Sequence, residues 1–280
     1  MTLSSSRWRH ALAGILVLLS PTTSSAQGAT PTDTSRAQQT LFTARDAVIA
    51  AGFAGLTVAM FPLDKHIETH LRDQTAPANR FFDNSATGFE YVATPGTFII
   101  GGTLYVYGRL TGHHGVEDLG WHGTEAVLVG SALTGVLKGV LGRARPDFVP
   151  DTRPSDFEFG KGFTVADRTS FPSGHTTTAF AAAAAVTSEV NRMWPKYTWY
   201  VAPVMYGGAT LVGLSRMYHN RHWASDVALG AGIGTFSGLK VVRYSHSHPD
   251  NFIDRVILRT GVVPDGHGGT YLAWSLPSPY

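Results

Sequence analysis

Six sparsely charged apolar stretches of helical length recur along the chain, at residues 47–63, 91–108, 124–142, 176–190, 197–214 and 227–242. Each is closed by charged residues, prolines or glycines. Stretches of this length and spacing bury their apolar surface by packing helix against helix. The pattern therefore predicts an all-α fold, an up-and-down bundle of about six helices. The second stretch is interrupted by Pro95-Gly96, and the sixth carries Gly230, Gly232, Gly234 and Gly238, a spacing that suits close helix contact. Residues 65–84 read as a short amphipathic helix and a loop, and residues 110–121 as a loop.

The two ends behave differently from the middle. Arg7 and Arg9 precede an apolar run at 11–19, and Ser24-Ser25-Ala26 supplies small residues where a signal peptide is cut. The expected organisation is a signal peptide at 1–26, a flexible leader at 27–40, a helical domain at 41–245 and a tail at 246–280. Within the tail, β-like runs at 255–263 and 271–276 flank Pro264-Asp265-Gly266, which predicts a hairpin. The signal implies export to the cell envelope. A net charge of +2 gives no reason to expect a nucleic-acid partner, and the absence of cysteine removes disulfides and thiolate metal sites.

Three polar stretches between the helices carry the chemistry. Ser215 to Asp226 contains Arg216, Arg221 and His222; if the chain is helical there, Asp226 shares a face with His222 and can hold its ring. The plainer alternative is an Arg216–Asp226 ion pair with His222 capping a helix. Lys138 and Arg145, seven residues apart, are placed on one face of a helix that Pro146 stops. Ser170-Phe171-Pro172-Ser173-Gly174-His175 leads into an alanine-rich helix, whose first N–H groups and the Ser173 hydroxyl suit an anion. His175 is positioned there as a proton donor. The polar segment 147–169 is long enough to form a flap over such a site.

Together these stretches resemble the three-part signature of the type 2 phosphatidic acid phosphatase and vanadium haloperoxidase superfamily. Lys138 with Arg145-Pro146 matches the first part, Pro172-Ser173-Gly174-His175 the second, and Ser215-Arg216 with His222 and Asp226 the third. The resemblance implies a metal-independent phosphatase acting on a phosphate monoester or diphosphate. His222 would form a phosphohistidine, Asp226 would hold its ring and His175 would act as acid and then base. Lys138, Arg145, Ser173, Gly174 and Arg216 would bind the phosphoryl oxygens. Its partner would be a phosphorylated lipid, an isoprenyl diphosphate or a small soluble ester, and no cofactor is implied. The alternative is a vanadium-dependent haloperoxidase holding vanadate in the same cradle; the complete first motif and modest length favour the phosphatase. A silent scaffold that keeps the motifs as ion pairs fits poorly, because no signature position is altered.

Membrane placement is the open point. Lipid phosphatases of that superfamily are six-span membrane proteins, whereas its acid phosphatases are soluble and exported. The uncharged parts of three runs, at 126–137, 176–188 and 227–239, cover only roughly 20 Å at about 1.5 Å per residue. A cleaved signal would also put the start of the first helix outside and the motif end inside. The expectation is thus a periplasmic bundle, soluble or surface-embedded, with an integral membrane protein close behind. His113, His114, His122, His246 and His248 lack a recognisable ligand spacing and are read as ordinary core or surface residues.

Overall fold

The structure, a computed structural model, describes residues 40–74, 80–149, 151–249, 251–264 and 270–274. The expected signal peptide and nearly all of the leader lie outside these residues.

Helix α1 (Ala44–Met60) opens on a reciprocal cap: Thr43 Oγ1 accepts from the Asp46 amide at 3.4 Å and Asp46 Oδ2 accepts from the Thr43 amide at 2.7 Å. A turn through Pro62 leads to α2 (Asp64–Gln74) and then α3 (Arg80–Tyr91), two helices where one helix and a loop were expected. The Pro95-Gly96 interruption is a wide turn over Val92–Gly96 in which Thr94 leaves helical geometry, after which α4 spans Thr97–Thr111.

Helix α5 (His114–Leu141) corrects the sequence reading most strongly. Residues 114–121, expected as loop, are its first two turns, because Glu117 and Gly120 are buried against α4 and are not solvated. It has 28 residues, about 42 Å of rise, so the length objection to a spanning helix falls away at this element. Helices α6 (Gly174–Met193), α7 (Thr198–Tyr218) and α8 (Ala224–Ser247) complete the up-and-down bundle.

Its core is built mainly from small residues, Ala126, Ala181 and Ala185 on one side and Ala179, Ala183 and Ala209 on the other. Close approach of α6 and α8 depends on two glycines. A Cβ at Gly230 would fall 2.6 Å from the Ser173 carbonyl oxygen, and one at Gly238 would fall 2.6 Å from that of Ala181. The first contact fixes where α6 begins relative to α8, and so where the second and third motifs meet.

The tail is partly helical. Residues Phe252–Arg259 form α9, so 255–259 are not strand; β1 (Thr260–Pro264) and β2 (Thr270–Trp274) pair antiparallel with Val262 opposite Leu272. The hairpin expected from the sequence is therefore present but shorter. His246 and Ser247 belong to α8, which carries the helical domain two residues into the expected tail.

Candidate active site

Helices α5 and α7 end, and α6 and α8 begin, at one end of the bundle, which brings the three motifs together there. Helix α5 stops at Leu141 because Gly142 takes the left-handed conformation (φ 57°) and its amide returns to the Lys138 carbonyl. Arg145 therefore lies beyond the helix, and it shares no helical face with Lys138. Tertiary contacts bring the two together: Lys138 Nζ donates to the Thr169 carbonyl, and Arg145 Nη2 donates to Thr169 Oγ1 at 3.1 Å. The 147–169 segment is a folded cap docked on the end of α5, with its described residues pinned by Glu158 N to Gly142 O (3.1 Å) and Gly160 N to Val140 O (2.7 Å).

His222 is not helical. Asn220 adopts φ 55°, which lets the chain turn back so that the Arg221 amide bonds the Arg216 carbonyl at 3.0 Å; Trp223 is the N-cap of α8. Asp226 still meets the histidine, with Oδ2 3.5 Å from His222 Nδ1. That carboxylate is otherwise fully engaged. It accepts from Ser170 Oγ and from the Trp223 amide at 2.9 Å, and it pairs with Arg143. The Arg216–Asp226 pair weighed from the sequence does not form. Arg216 pairs with Glu90 of α3, which also accepts from His219 Nδ1 at 2.6 Å.

Arg143 and Asp64 are the residues that sequence reasoning missed. Arg143 is fully buried and bridges Asp226 to Asp64 (Nη2 to Oδ2, 2.7 Å), while Asp64 accepts from the Ser225 amide at 2.8 Å. Its guanidinium lies 4.8 Å from the Phe61 ring centre and 5.1 Å from that of Phe157. The available signal was an arginine two residues before Arg145 and an aspartate closing the first apolar run; neither carries a recognisable spacing.

Ser173 is fully buried at the start of α6. Its hydroxyl accepts from Thr176 Oγ1 at 2.8 Å and does not cap its own helix, and its amide bonds the Asp226 carbonyl at 3.0 Å. The amides of the first turn, from Gly174 onward, thus have no partner within the helix. His175 follows in the field of Arg216, Lys138 and Arg145. Burial, reinforced by the Lys138 and Arg145 charges, holds the His222 imidazole down to about 3, so its ring is neutral at ordinary pH. Two buried guanidinium nitrogens, Arg145 Nε and Arg216 Nε, have no hydrogen-bond partner. Buried donors are seldom left so, and cations with a free donor around a helix N-terminus form a cradle suited to an anion.

Residues 120–249 match the PAP2 superfamily model, a segment that holds all three motifs and the whole of this cradle. Over this segment the chain is similar to that superfamily. Parts of the chain are similar to curated lipid A 1-phosphatases. One match, to a Porphyromonas gingivalis protein, is 46% identical over 69 residues, 25% of this chain and 15% of the relative. Another, to a Rhizobium johnstonii protein, is 33% identical over 116 residues, 40% of this chain and 42% of the relative. The chain thus matches less than half the length of either. The PAP2 fold itself recurs in the crystal structure of the first transmembrane PAP2 type phosphatidylglycerolphosphate phosphatase from Bacillus subtilis. That match covers 75% of this chain and 99% of that one, with 20% identity and a TM-score of 0.54.

Proposed function

We propose that this protein is a membrane-embedded phosphatase that removes phosphate from a lipid through a phosphohistidine. The observation that carries the lipid reading is an apolar groove whose lining begins one helical turn from cradle residues. A cavity of about 410 Å³ between α4, α5, α6 and α7 is lined by Phe89, Ala93, Leu104, Ala179, Met205 and Val212. Ala179 lies one helical turn beyond His175, Val212 one turn before Arg216, and Phe89 beside Glu90. A phosphate held by the cations would leave its apolar chain in that groove. Among lipid phosphates, the lipid A 1-phosphatase relatives support the phosphate of lipid A.

In this mechanism Asp226 keeps the Nδ1 proton of His222 and Nε2 attacks phosphorus. His175 protonates the departing alkoxide, then takes a proton from the water that cleaves the phosphorus–nitrogen bond. Lys138, Arg145, Arg216 and the first amides of α6 stabilise the equatorial oxygens, where phosphoryl transfer needs most help. The Ser173 hydroxyl and Gly174 set the position of those amides.

Membrane embedding is supported by what the bundle shows outward. Val136 (60% exposed), Trp199 (65%) and Val204 (72%) lie on outer helix faces, a belt that water would not tolerate at this extent. Segments Ala44–Leu71 and His114–Leu141 have windows of mean hydropathy 1.7 and 1.4, of which only 11% and 28% is buried, so most of each window faces outward. This reading replaces the lean toward a soluble bundle. The signal peptide expected at 1–26 supports placement in the cell envelope.

The test is phosphate release by purified protein in detergent with EDTA, offering lipid A, phosphatidic acid, an isoprenyl diphosphate and an aryl phosphate, with His222→Ala beside wild type. Faster turnover of a lipid than of the aryl ester is expected. Equal turnover of all four, or activity retained by His222→Ala, would overturn the proposal.

A further inference from the structure

The end of the bundle opposite the phosphate cradle holds a second convergence of polar side chains. His122 comes from the third turn of α5, Glu189 from the last turns of α6 and His246 from the last turn of α8. Glu189 Oε1 lies 2.6 Å from His122 Nδ1 and 2.8 Å from His246 Nε2, and one ligand atom from each residue falls within 4.8 Å of the others. Glu189 and His122 are buried, whereas the His246 side chain is 18% exposed and offers a path in.

The far side of His122 is equally specific. Its Nε2 is buried without a hydrogen-bond partner and lies 3.6 Å from Asp254 Oδ2. Asp254, on α9, is itself held by Trp121 Nε1 at 3.0 Å and Asn251 Nδ2 at 2.6 Å. Asp118 and Glu125 sit one turn before and one turn after His122 on the same helix. Four carboxyl groups thus stand around two imidazoles in a desolvated corner. A carboxylate backing the outer nitrogen of a histidine is how proteins orient an imidazole whose inner nitrogen binds a metal.

We propose that His122, Glu189 and His246 form a zinc-class divalent-cation site, with Asp254 orienting His122. Two imidazole nitrogens and a carboxylate oxygen are a zinc donor set, and tetrahedral coordination would leave a fourth position toward the exposed edge at His246. Binding replaces the protons now shared between Glu189 and the two rings by the metal. Metal–ligand bonds of about 2.0–2.2 Å set tetrahedral donors roughly 3.4 Å apart, so Glu189 would part from each ring by roughly 0.6–0.8 Å. The ion would tie α5, α6 and α8 together, with α9 held behind His122, and it would take no part in phosphoryl transfer, which happens across the bundle.

The test uses the full chain purified in detergent, stripped with EDTA, dialysed and titrated with zinc by calorimetry, with cobalt substitution followed by visible absorption. Wild type should take up one zinc with micromolar affinity or tighter, rise in melting temperature, and give a cobalt spectrum of tetrahedral intensity. His246→Ala should weaken zinc binding by at least about a hundredfold, while His222→Ala, altered at the other end, should keep it. His246→Gln retains an amide donor for Glu189 and serves if the alanine variant does not fold. Lack of stoichiometric zinc in wild type, or wild-type affinity in either His246 variant, would overturn the proposal.

Discussion

Arg143 Nη1 donates to Asp226 Oδ1, and both side chains are wholly shielded from water. Asp64 takes the other arm of the guanidinium, so one arginine balances two buried carboxylates directly behind His222. Arg143→Ala would strand both, at a cost of about 3–5 kcal/mol. Arg143→Lys can reach one carboxylate but cannot fork to both. The expected result is a folded lysine variant with lowered melting temperature and a kcat reduced more than KM is raised, read by thermal unfolding in detergent and steady-state kinetics.

The two histidines should fail at different steps. Under the proposed mechanism His222→Ala lacks the nucleophile, so no phosphoenzyme should form with any substrate. His175→Ala loses acid and base but keeps the nucleophile; with an aryl phosphate, whose leaving group needs little protonation, it should accumulate phosphoenzyme. Rapid acid quench with radiolabelled substrate separates the cases, and label trapped on His222→Ala would contradict the assignment.

Arg145 and Arg216 each hold an unpartnered buried Nε at the cradle. Alanine at Lys138, Arg145 or Arg216 should each reduce kcat/KM at least about a hundredfold, the scale of removing one preorganised donor. Vanadate should inhibit wild type. Glu90→Gln should have a smaller effect, because it weakens the pairing that positions Arg216 without removing the charge.

Acid should expose the neutral state of His222. Its folded value near 3 lies below the ordinary 6.5, so between those limits the unfolded chain binds more protons. Stability therefore falls as pH drops through that window, by up to about 1.4 kcal/mol per unit, and above 6.5 this histidine contributes nothing. The difference in unfolding free energy between wild type and His222→Asn, followed against pH, should slope below 6.5 and be flat above it. A difference that stays flat throughout would show that the ring is not held neutral.

The groove can be tested apart from the chemistry. Ala179 lines it one turn from His175, and a tryptophan there would fill the space that the proposal gives to an acyl chain. Ala179→Trp should raise KM for lipid substrates by about tenfold or more, the scale of losing a few buried methylenes, and leave kcat/KM for a soluble aryl phosphate unchanged. Equal losses on both would place the lipid elsewhere.

How much of this was legible in the sequence differs by element. Helix periodicity and the three polar stretches between helices were readable because they are local, and the bundle, the pairing of Thr260–Pro264 with Thr270–Trp274 and the convergence of Lys138, Ser173, His175, Arg216 and His222 follow from them. Residues 114–121 were misread because a short polar run looks solvated until the helix that buries it is known; here α4 covers Glu117 and Gly120. The shared face expected for Lys138 and Arg145 failed because Gly142 ends α5 between them.

Residue types and their order along the chain determined the all-α bundle and the motif residues that meet at its end. Partners did not follow from order. Arg143 finds Asp64 79 residues away and Asp226 83 residues away, and His122 finds Glu189 67 residues away. Which carboxylate a buried cation pairs with is decided by the helix contacts that remove both from water, and those contacts exist only once the bundle has formed.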